Sequence, residues 1–230
     1  MTLGLGWALL DARAGDNKMH SHVAHQVSLA LDAECEIGGA CPLRLARGEA
    51  ALIPAGTKHC LAPSGALVRT IYVDPLFRGM RGLVRKSQPV HLSKTEATAL
   101  AAVSCGEDAQ HWISALLNKS ASSPIDTRLR TALAEIEPGT TPAALAHAIG
   151  LSTSRLREVA VHDFGVPTVK LLQWLQLQQA IDALRQSRNL ADAAAAGGFS
   201  DQAHFTRRLV EWFGVTPSLG LAQLEITVIR

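Results

Sequence analysis

The sequence lacks a long apolar run, and it has few aromatic and few charged residues. Of its 230 residues, 4% are aromatic and 18% are charged. No apolar run approaches the roughly 20 residues that a helix needs to cross a bilayer. The apolar start, Met1–Leu10, has no basic residue before it. We therefore expect a globular chain without a membrane span or a signal peptide.

Paired cysteines are absent as well. The four cysteines all lie in the first half of the chain and none belongs to a C-x-x-C pair: they are Cys35, Cys41, Cys60 and Cys105. Free thiols of this kind are typical of a reducing compartment. We therefore expect a cytoplasmic protein rather than a disulfide scaffold.

A general excess of positive charge is the third absence. The net charge is only +2, and residues 125–230 carry ten Lys and Arg against ten Asp and Glu. A basic surface is the usual electrostatic sign of a nucleic-acid partner. Any DNA binding by this chain must therefore depend on where individual charges lie.

The pattern of residue types divides the chain into three parts. Residues 1–92 contain short apolar runs separated by Gly, Pro and Asp, which is typical of β-strands. Residues 93–136 have helical periodicity, and we interpret them as a helical dimerisation or linker segment. Residues 137–230 begin with a Pro-Gly linker and are then helical throughout. The predicted fold class is therefore α+β with two domains, the second of them all-α.

Two segments of the last part repeat each other 48 to 49 residues apart. Each has a short Ala-rich helix, a glycine turn, a serine cap (Ser152 and Ser200), a longer helix and then Phe-Gly-Val. A short helix, a tight turn and a second helix make a helix-turn-helix unit, whose second helix enters the major groove of DNA. We predict two such units, joined by a long helix over residues 169–186.

The motifs of this repeat resemble those of the AraC/XylS family of transcription regulators, over residues 140–224. They are Gly150-Leu-Ser-x-Ser-Arg-Leu-Arg157, Gly198-Phe-Ser-Asp-Gln-x-His-Phe-x-Arg207 and Phe213-Gly-Val-Thr-Pro217. The resemblance implies a sequence-specific regulator of transcription that binds double-stranded DNA. It also implies a homodimer, contact with RNA polymerase, and a place in the bacterial cytoplasm with the nucleoid.

The resemblance implies which side chains contact DNA. They are Thr153, Ser154, Arg157 and Glu158 in the first helix-turn-helix unit, and Gln202, His204, Thr206 and Arg207 in the second. Arg208 is either a phosphate contact or an ordinary solvated charge. Arginine can bind guanine with two hydrogen bonds, and glutamine can bind adenine in the same way. The first unit departs from the family pattern, since Glu158 and Ala160 stand where a basic and a bulky residue are usual. We expect it to bind more weakly or to read a different base.

A second resemblance lies in the first part of the chain. Residues 48–59, G-E-A-A-L-I-P-A-G-T-K-H, resemble the second cupin motif, G-x5-P-x-G-x2-H. His20-Ser-His22, followed by Gln26, resembles the first, H-x-H-x3-(E/Q). The resemblance implies that the N-terminal part is a cupin-like β-barrel, flanked by helices, that serves as a sensor.

The same residues are candidate metal ligands. Two histidines at i and i+2 on a strand point to one face, and the turn before His59 can return that ring towards them. Three imidazoles and an amide oxygen suit Ni, Zn, Co, Cu or Fe, so we predict a site of His20, His22, Gln26 and His59. His25 and Cys60 are alternative ligands.

The nature of the effector stays open at this point. The cluster His-Ser-His-Val-Ala-His-Gln is similar to the subgroup that contains nickel-responsive regulators. Many relatives keep the same turn and bind an organic effector, or bind none. A metal-dependent cupin enzyme is the alternative from a different class, but it would not need two helix-turn-helix units, so we expect no catalysis.

Overall fold

The computed structural model describes residues 2–4, 6–14, 19–63, 65–74, 88–118, 126–187, 189–213 and 227–228. Its contacts divide the chain into two compact units, Met1–Ser122 with Gly214–Arg230, and Ser123–Phe213. The helices predicted as one segment over residues 93–136 are therefore shared between both units. Among the described residues, no helix is both long and apolar enough to cross a membrane.

The first unit is built mainly of strands. These are β1 (Thr2–Gly4), β2 (Trp7–Arg13), β3 (His25–Ala30), β4 (Cys35–Gly39), β5 (Leu43–Leu45), β6 (Ala50–Ile53), β7 (His59–Ala62), β8 (Leu67–Val73), β9 (Val90–His91) and β10 (Thr227–Val228). Two helices follow β9 in the chain, α1 (Lys94–Ala101) and α2 (Gly106–Asn118).

The strands form two sheets. The large sheet has the order β10-β1-β2-β8-β3-β6-β9, and the small one has the order β5-β4-β7. The pairs are antiparallel apart from β1 with β10, which is parallel. The predicted α+β class is confirmed, although the described strands form two sheets rather than one closed barrel.

Strand β3 lies at the centre of the first unit, and all six of its residues are buried. Because side chains alternate along a strand, its two faces meet different neighbours. Val27 and Leu29 pack in one apolar cluster with Ile113 of α2. Ala30 packs in a second cluster with Ile37 of the small sheet. The large sheet is thus covered by helices on one face and by the small sheet on the other.

Arg69 on β8 fastens α1 to the large sheet. Its Nε and Nη2 donate to the two carboxylate oxygens of Asp11, each at 2.7 Å. Its Nη1 donates to the carbonyl oxygens of Leu100, Ala101 and Val103 at 3.1, 3.1 and 2.7 Å. The last carbonyls of a helix have no partner within the helix, and a cation near them is favourable.

We predict that Arg69→Met lowers the free energy of unfolding by about 2–3 kcal/mol, because charged hydrogen bonds are lost and part-buried carbonyls lose their donor. The urea unfolding midpoint, followed by circular dichroism, measures this loss. Arg13→Met is the matched control, since Arg13 pairs with Asp32 on the surface, where an ion pair contributes less than about 1 kcal/mol. Equal losses of unfolding free energy in the two variants would show that Arg69 contributes no more to stability than a surface ion pair.

The second unit is helical throughout its described residues. Its helices are α3 (Thr127–Ala134), α4 (Pro142–Ala148), α5 (Thr153–Phe164), α6 (Thr168–Ser187), α7 (Leu190–Ala196) and α8 (Gln202–Phe213). The predicted cap of α5 is confirmed, because the Ser152 side chain accepts from the Arg155 N–H. The prediction for Ser200 is wrong: Asp201 Oδ1 accepts the His204 N–H at 2.6 Å, so the cap lies one residue later.

Candidate metal centre and nucleic-acid interface

The predicted metal ligands come together between the two sheets. Gln26 lies on β3 of the large sheet and His59 on β7 of the small one, and both are buried. The strand predicted for His20 and His22 is absent. Instead, His20 forms an isolated bridge with His59, in which each N–H donates to the other's carbonyl at 3.0 and 2.9 Å.

The ring nitrogens of the three histidines are close enough to share one ion. One nitrogen each of His20, His22 and His59 lies within 4.8 Å of the other two. Gln26 Oε1 is 2.7 Å from His22 Nε2 and 3.0 Å from His59 Nε2. Ligands that are each about 2.1 Å from one ion lie about 3–4 Å from each other. The four side chains therefore fit a first-row transition metal after small adjustments.

The second nitrogen of two rings fixes their tautomers. His22 Nδ1 is 2.8 Å from the Ala24 carbonyl oxygen, and His59 Nδ1 is 2.9 Å from that of Thr57. A carbonyl oxygen only accepts, so in each neutral ring the proton is on Nδ1 and the Nε2 lone pair faces Gln26. Metal-binding histidines are commonly oriented by such a bond from the other nitrogen.

The Gln26 amide has two orientations in this setting. As placed, its Nε2 donates to Ser28 Oγ at 2.8 Å, and its oxygen lies 2.7 and 3.0 Å from the Nε2 atoms of His22 and His59. In this orientation the oxygen and the two ring lone pairs could be ligands of one cation. After a flip of the amide, its NH₂ group donates to both rings while Ser28 donates to the oxygen. The two orientations of the Gln26 amide thus differ in whether its oxygen or its NH₂ group lies towards the two rings.

Burial keeps the rings of His22 and His59 uncharged at neutral pH. Burial lowers the pKa of His22 to about 4, with a smaller contribution from the neighbouring His20. Burial, and to a smaller extent the neighbouring His22, lowers the pKa of His59 to about 3. Since a metal binds the neutral imidazole, little competition from protons is expected at physiological pH.

The alternative ligands have other surroundings. His25 neighbours Gln26 on β3 and therefore points to the opposite face; its Nδ1 accepts the Ala55 N–H at 3.2 Å. Cys60 alternates in the same way with His59, and its sulfur lies against Gly38. The sequence pattern missed Tyr72, whose ring is buried and meets that of His22 edge-on at 5.2 Å. Its pairing opposite Gln26 was the signal, and it needs the sheet register to be known.

The second unit contains the two predicted helix-turn-helix units, α4 with α5 and α7 with α8. Their turns are alike: the Leu151 N–H donates to the Ala146 carbonyl, and the Phe199 N–H donates to the Ala194 carbonyl, both at 2.9 Å. Gly150 and Gly198 both have a φ of 70°, which other residues rarely adopt. The sequence repeat is therefore a structural repeat.

The residues predicted to contact DNA are mostly accessible. Six are exposed and three are partly buried; in chain order they are Thr153, Ser154, Arg157, Glu158, Gln202, His204, Thr206, Arg207 and Arg208. His204 is one of the partly buried ones, because its ring packs on Phe199 at 5.3 Å and its Nδ1 lies 3.2 Å from Ser200 Oγ. Their contacts with DNA stay predictions.

Glu158 has a partner that the sequence reading missed. Arg155 Nη1 lies 2.9 Å from Glu158 Oε2 on the exposed side of α5. The spacing of three residues on a helix was the available signal. Because the cation offsets the carboxylate, Glu158 is less unfavourable near phosphates than it would be alone.

Asp163 is a buried carboxylate at the end of α5, 3% exposed. Its Oδ2 accepts the backbone N–H of Asp126, the N-cap of α3, at 3.1 Å, and its Oδ1 lies 2.8 Å from His162 Nδ1. Helical spacing from Leu156 and Ala160 could have placed it on the buried face. The hydrogen bond between Asp163 and Asp126 joins α3 to α5, the second helix of the first helix-turn-helix unit.

We predict that Asp163→Ala lowers the free energy of unfolding of the second unit by about 1–3 kcal/mol, since a buried N–H and its partners lose their acceptor. Asp163→Asn is the matched control, because it keeps an oxygen that can accept the Asp126 N–H. Hydrogen exchange in α3 and α5 resolves the effect. Equal protection in both variants would mean that the acceptor is unimportant.

Comparison with known proteins gives one family and one recurring fold. Residues 145–219 match a family described as a helix-turn-helix domain. None of the curated proteins matches the sequence. These residues include most of both units defined above.

Solved structures of ToxT from Vibrio cholerae share the fold. One has a TM-score of 0.64 at 10% identity and covers 96% of this chain and 100% of its own. Another, wild-type ToxT of strain SCE256 bound to an unsaturated fatty acid, has a TM-score of 0.64 at 12% identity and covers 95% of each chain. Identities this low establish the shared two-part fold alone.

Proposed function

We propose that this chain, whose residues 145–219 form an AraC-type helix-turn-helix domain, is a sequence-specific regulator of transcription that responds to a transition metal bound in its N-terminal unit. The match of residues 145–219 to a helix-turn-helix family supports the DNA-binding part of the proposal. Ligand binding by the N-terminal unit is a part of the proposal. The metal, the residues that contact bases, a homodimer, contact with RNA polymerase and a cytoplasmic location are parts of the proposal.

The case for DNA reading depends on the exposed faces of α5 and α8. Arg157 and Arg207 are both exposed, one on each helix. A bidentate contact between arginine and guanine is the commonest specific contact in the major groove. Because the helical unit carries no excess of positive charge, a few placed side chains must supply most of the affinity.

We predict that Arg207→Ala weakens binding to a selected operator by about 1–3 kcal/mol and relaxes the base preference at one position. The operator is obtained by selecting random duplexes with the full-length chain, and affinity is measured by fluorescence anisotropy. Arg44→Ala is the control, since Arg44 is an exposed arginine of the first unit. Unchanged affinity and preference in Arg207→Ala would remove this residue from the interface.

The case for a metal depends on one observation, the convergence of three imidazole nitrogens and the Gln26 oxygen. His20, His22, His59 and Gln26 would hold the ion. When bound, the ion supplies a buried positive charge that bridges β3 and β7. The ion would change the affinity for DNA only if the chain has two conformations that differ both in DNA binding and in affinity for the ion.

An organic effector is the second candidate. The fatty acid named in the ToxT structure was bound by a protein of the same fold, and such a ligand would need no histidine cluster. A metal-dependent enzyme is the third, and recovery of specific genomic fragments with the purified chain would count against it. The histidine geometry favours the metal.

We predict that the full-length chain, loaded with NiCl₂ or ZnCl₂ and dialysed, retains about one ion per chain and that the double variant His22→Ala, His59→Ala retains none. Elemental analysis measures the content. His111→Ala, which changes an exposed histidine of α2, serves as the control and should behave as wild type.

A second variant tests the metal site in case the double variant fails to fold. Gln26→Glu keeps an oxygen ligand and removes the NH₂ group that stabilises the metal-free state, so it should bind the ion at least as tightly. Equal metal content in wild type and the double variant would refute the site. Metal uptake without any effect on operator affinity would refute the regulatory role and leave the site standing.

A further inference from the structure

Helix α5, the second helix of the first helix-turn-helix unit, has one large apolar side chain on its exposed side. Among the described residues, the exposed large hydrophobic side chains are Met19, Val161 and Val169, and Val161 of α5 is 44% exposed. Its neighbours on the exposed side of this helix are polar. A lone surface valine is ordinary in itself, so its meaning depends on its position.

That position is on the side of the helix predicted to face bases. With about 100° between successive residues of an α-helix, Ser154, Arg157 and Val161 lie within a sector about 60° wide. The buried residues Leu156, Ala160, Asp163 and Phe164 lie on the adjoining arc of the helix. Val161 is therefore directed to the same surroundings as Ser154 and Arg157.

We propose that Val161 determines specificity by contacting the 5-methyl group of a thymine in the major groove. The proposal rests on the DNA-binding function proposed above. The thymine methyl is the apolar group that the major-groove edges of the bases offer, and apolar side chains are its usual contacts. An exposed valine fits this group, whereas a phosphate would favour a basic side chain.

Helix geometry sets how far apart the contacts lie. Val161 follows Ser154 by seven residues, or about 10 Å along the axis at about 1.5 Å per residue. The thymine should therefore be a different base from the one that Ser154 faces.

The second repeat has valine in the same register. In the sequence, Val161 follows the core residue Leu156 by five positions, and Val210 follows Phe205 by five positions. Both valines then precede a Phe-Gly-Val by three positions. The sequence thus has a valine at the same position in the longer helix of each repeat.

The test removes the methyl group from DNA instead of the side chain from the protein. A high-affinity duplex is selected from a random library with the full-length chain, and each thymine is replaced singly by deoxyuridine. We expect one replacement, in the DNA that the first helix-turn-helix unit binds, to weaken binding about fourfold. This factor corresponds to burying one methyl group.

Two valine variants complete the design. Val161→Ala should lose the sensitivity to that one replacement, whereas Val169→Ala, which changes an exposed valine of α6 outside the reading helices, should keep it. The proposal is overturned when no replacement weakens binding or when Val161→Ala keeps the full sensitivity. Failure to select any duplex would instead contradict DNA binding itself, so the two failures are distinguishable.

Discussion

The burial of β3 on both faces is the constraint on which the first unit depends. Val27 and Leu29 need the helices on one side, and Ala30 needs the small sheet on the other. The face of β3 that lies towards the small sheet also carries Gln26. Because this polar side chain is buried, it needs hydrogen-bond partners. It finds Ser28 on its own strand and two histidine rings, one of them on β7. The same packing that makes the core therefore assembles the candidate metal centre.

The second unit depends on a different constraint, the repeated turn. In both helix-turn-helix units, the same backbone hydrogen bond and the same glycine conformation form the turn between the two helices. Among the described residues, the two helix-turn-helix units differ in the polar contacts along their second helices. Arg155 pairs with Glu158 on α5, while on α8 His204 is held by Asp201 and Ser200. A common scaffold with unequal surfaces is suited to reading two different half-sites.

Local patterns allowed most of this architecture to be predicted from the sequence. The repeat predicted both helix-turn-helix units, and the spacing of His20, His22 and His59 predicted their convergence. Long-range pairing could not be predicted in the same way. The place of Tyr72 beside His22 depends on strand register, and the bond between Asp163 and the N-cap of α3 joins positions 37 residues apart. The sequence alone could not decide between two adjacent residues, Ser200 and Asp201, as the cap of α8, because both are good caps.

The two orientations of Gln26 bear on how a metal could act as a signal. If the metal-free cluster had an unpaired buried group, the free protein would be destabilised at this site. Because a flipped amide satisfies both rings and Ser28, the metal-free state is itself well hydrogen-bonded. Metal binding as proposed would then exchange one set of hydrogen bonds for a set of metal ligands between β3 and β7. Such an exchange has the character of a switch between two comparable states, and a ligand can bias states of this kind only by its difference in affinity for them.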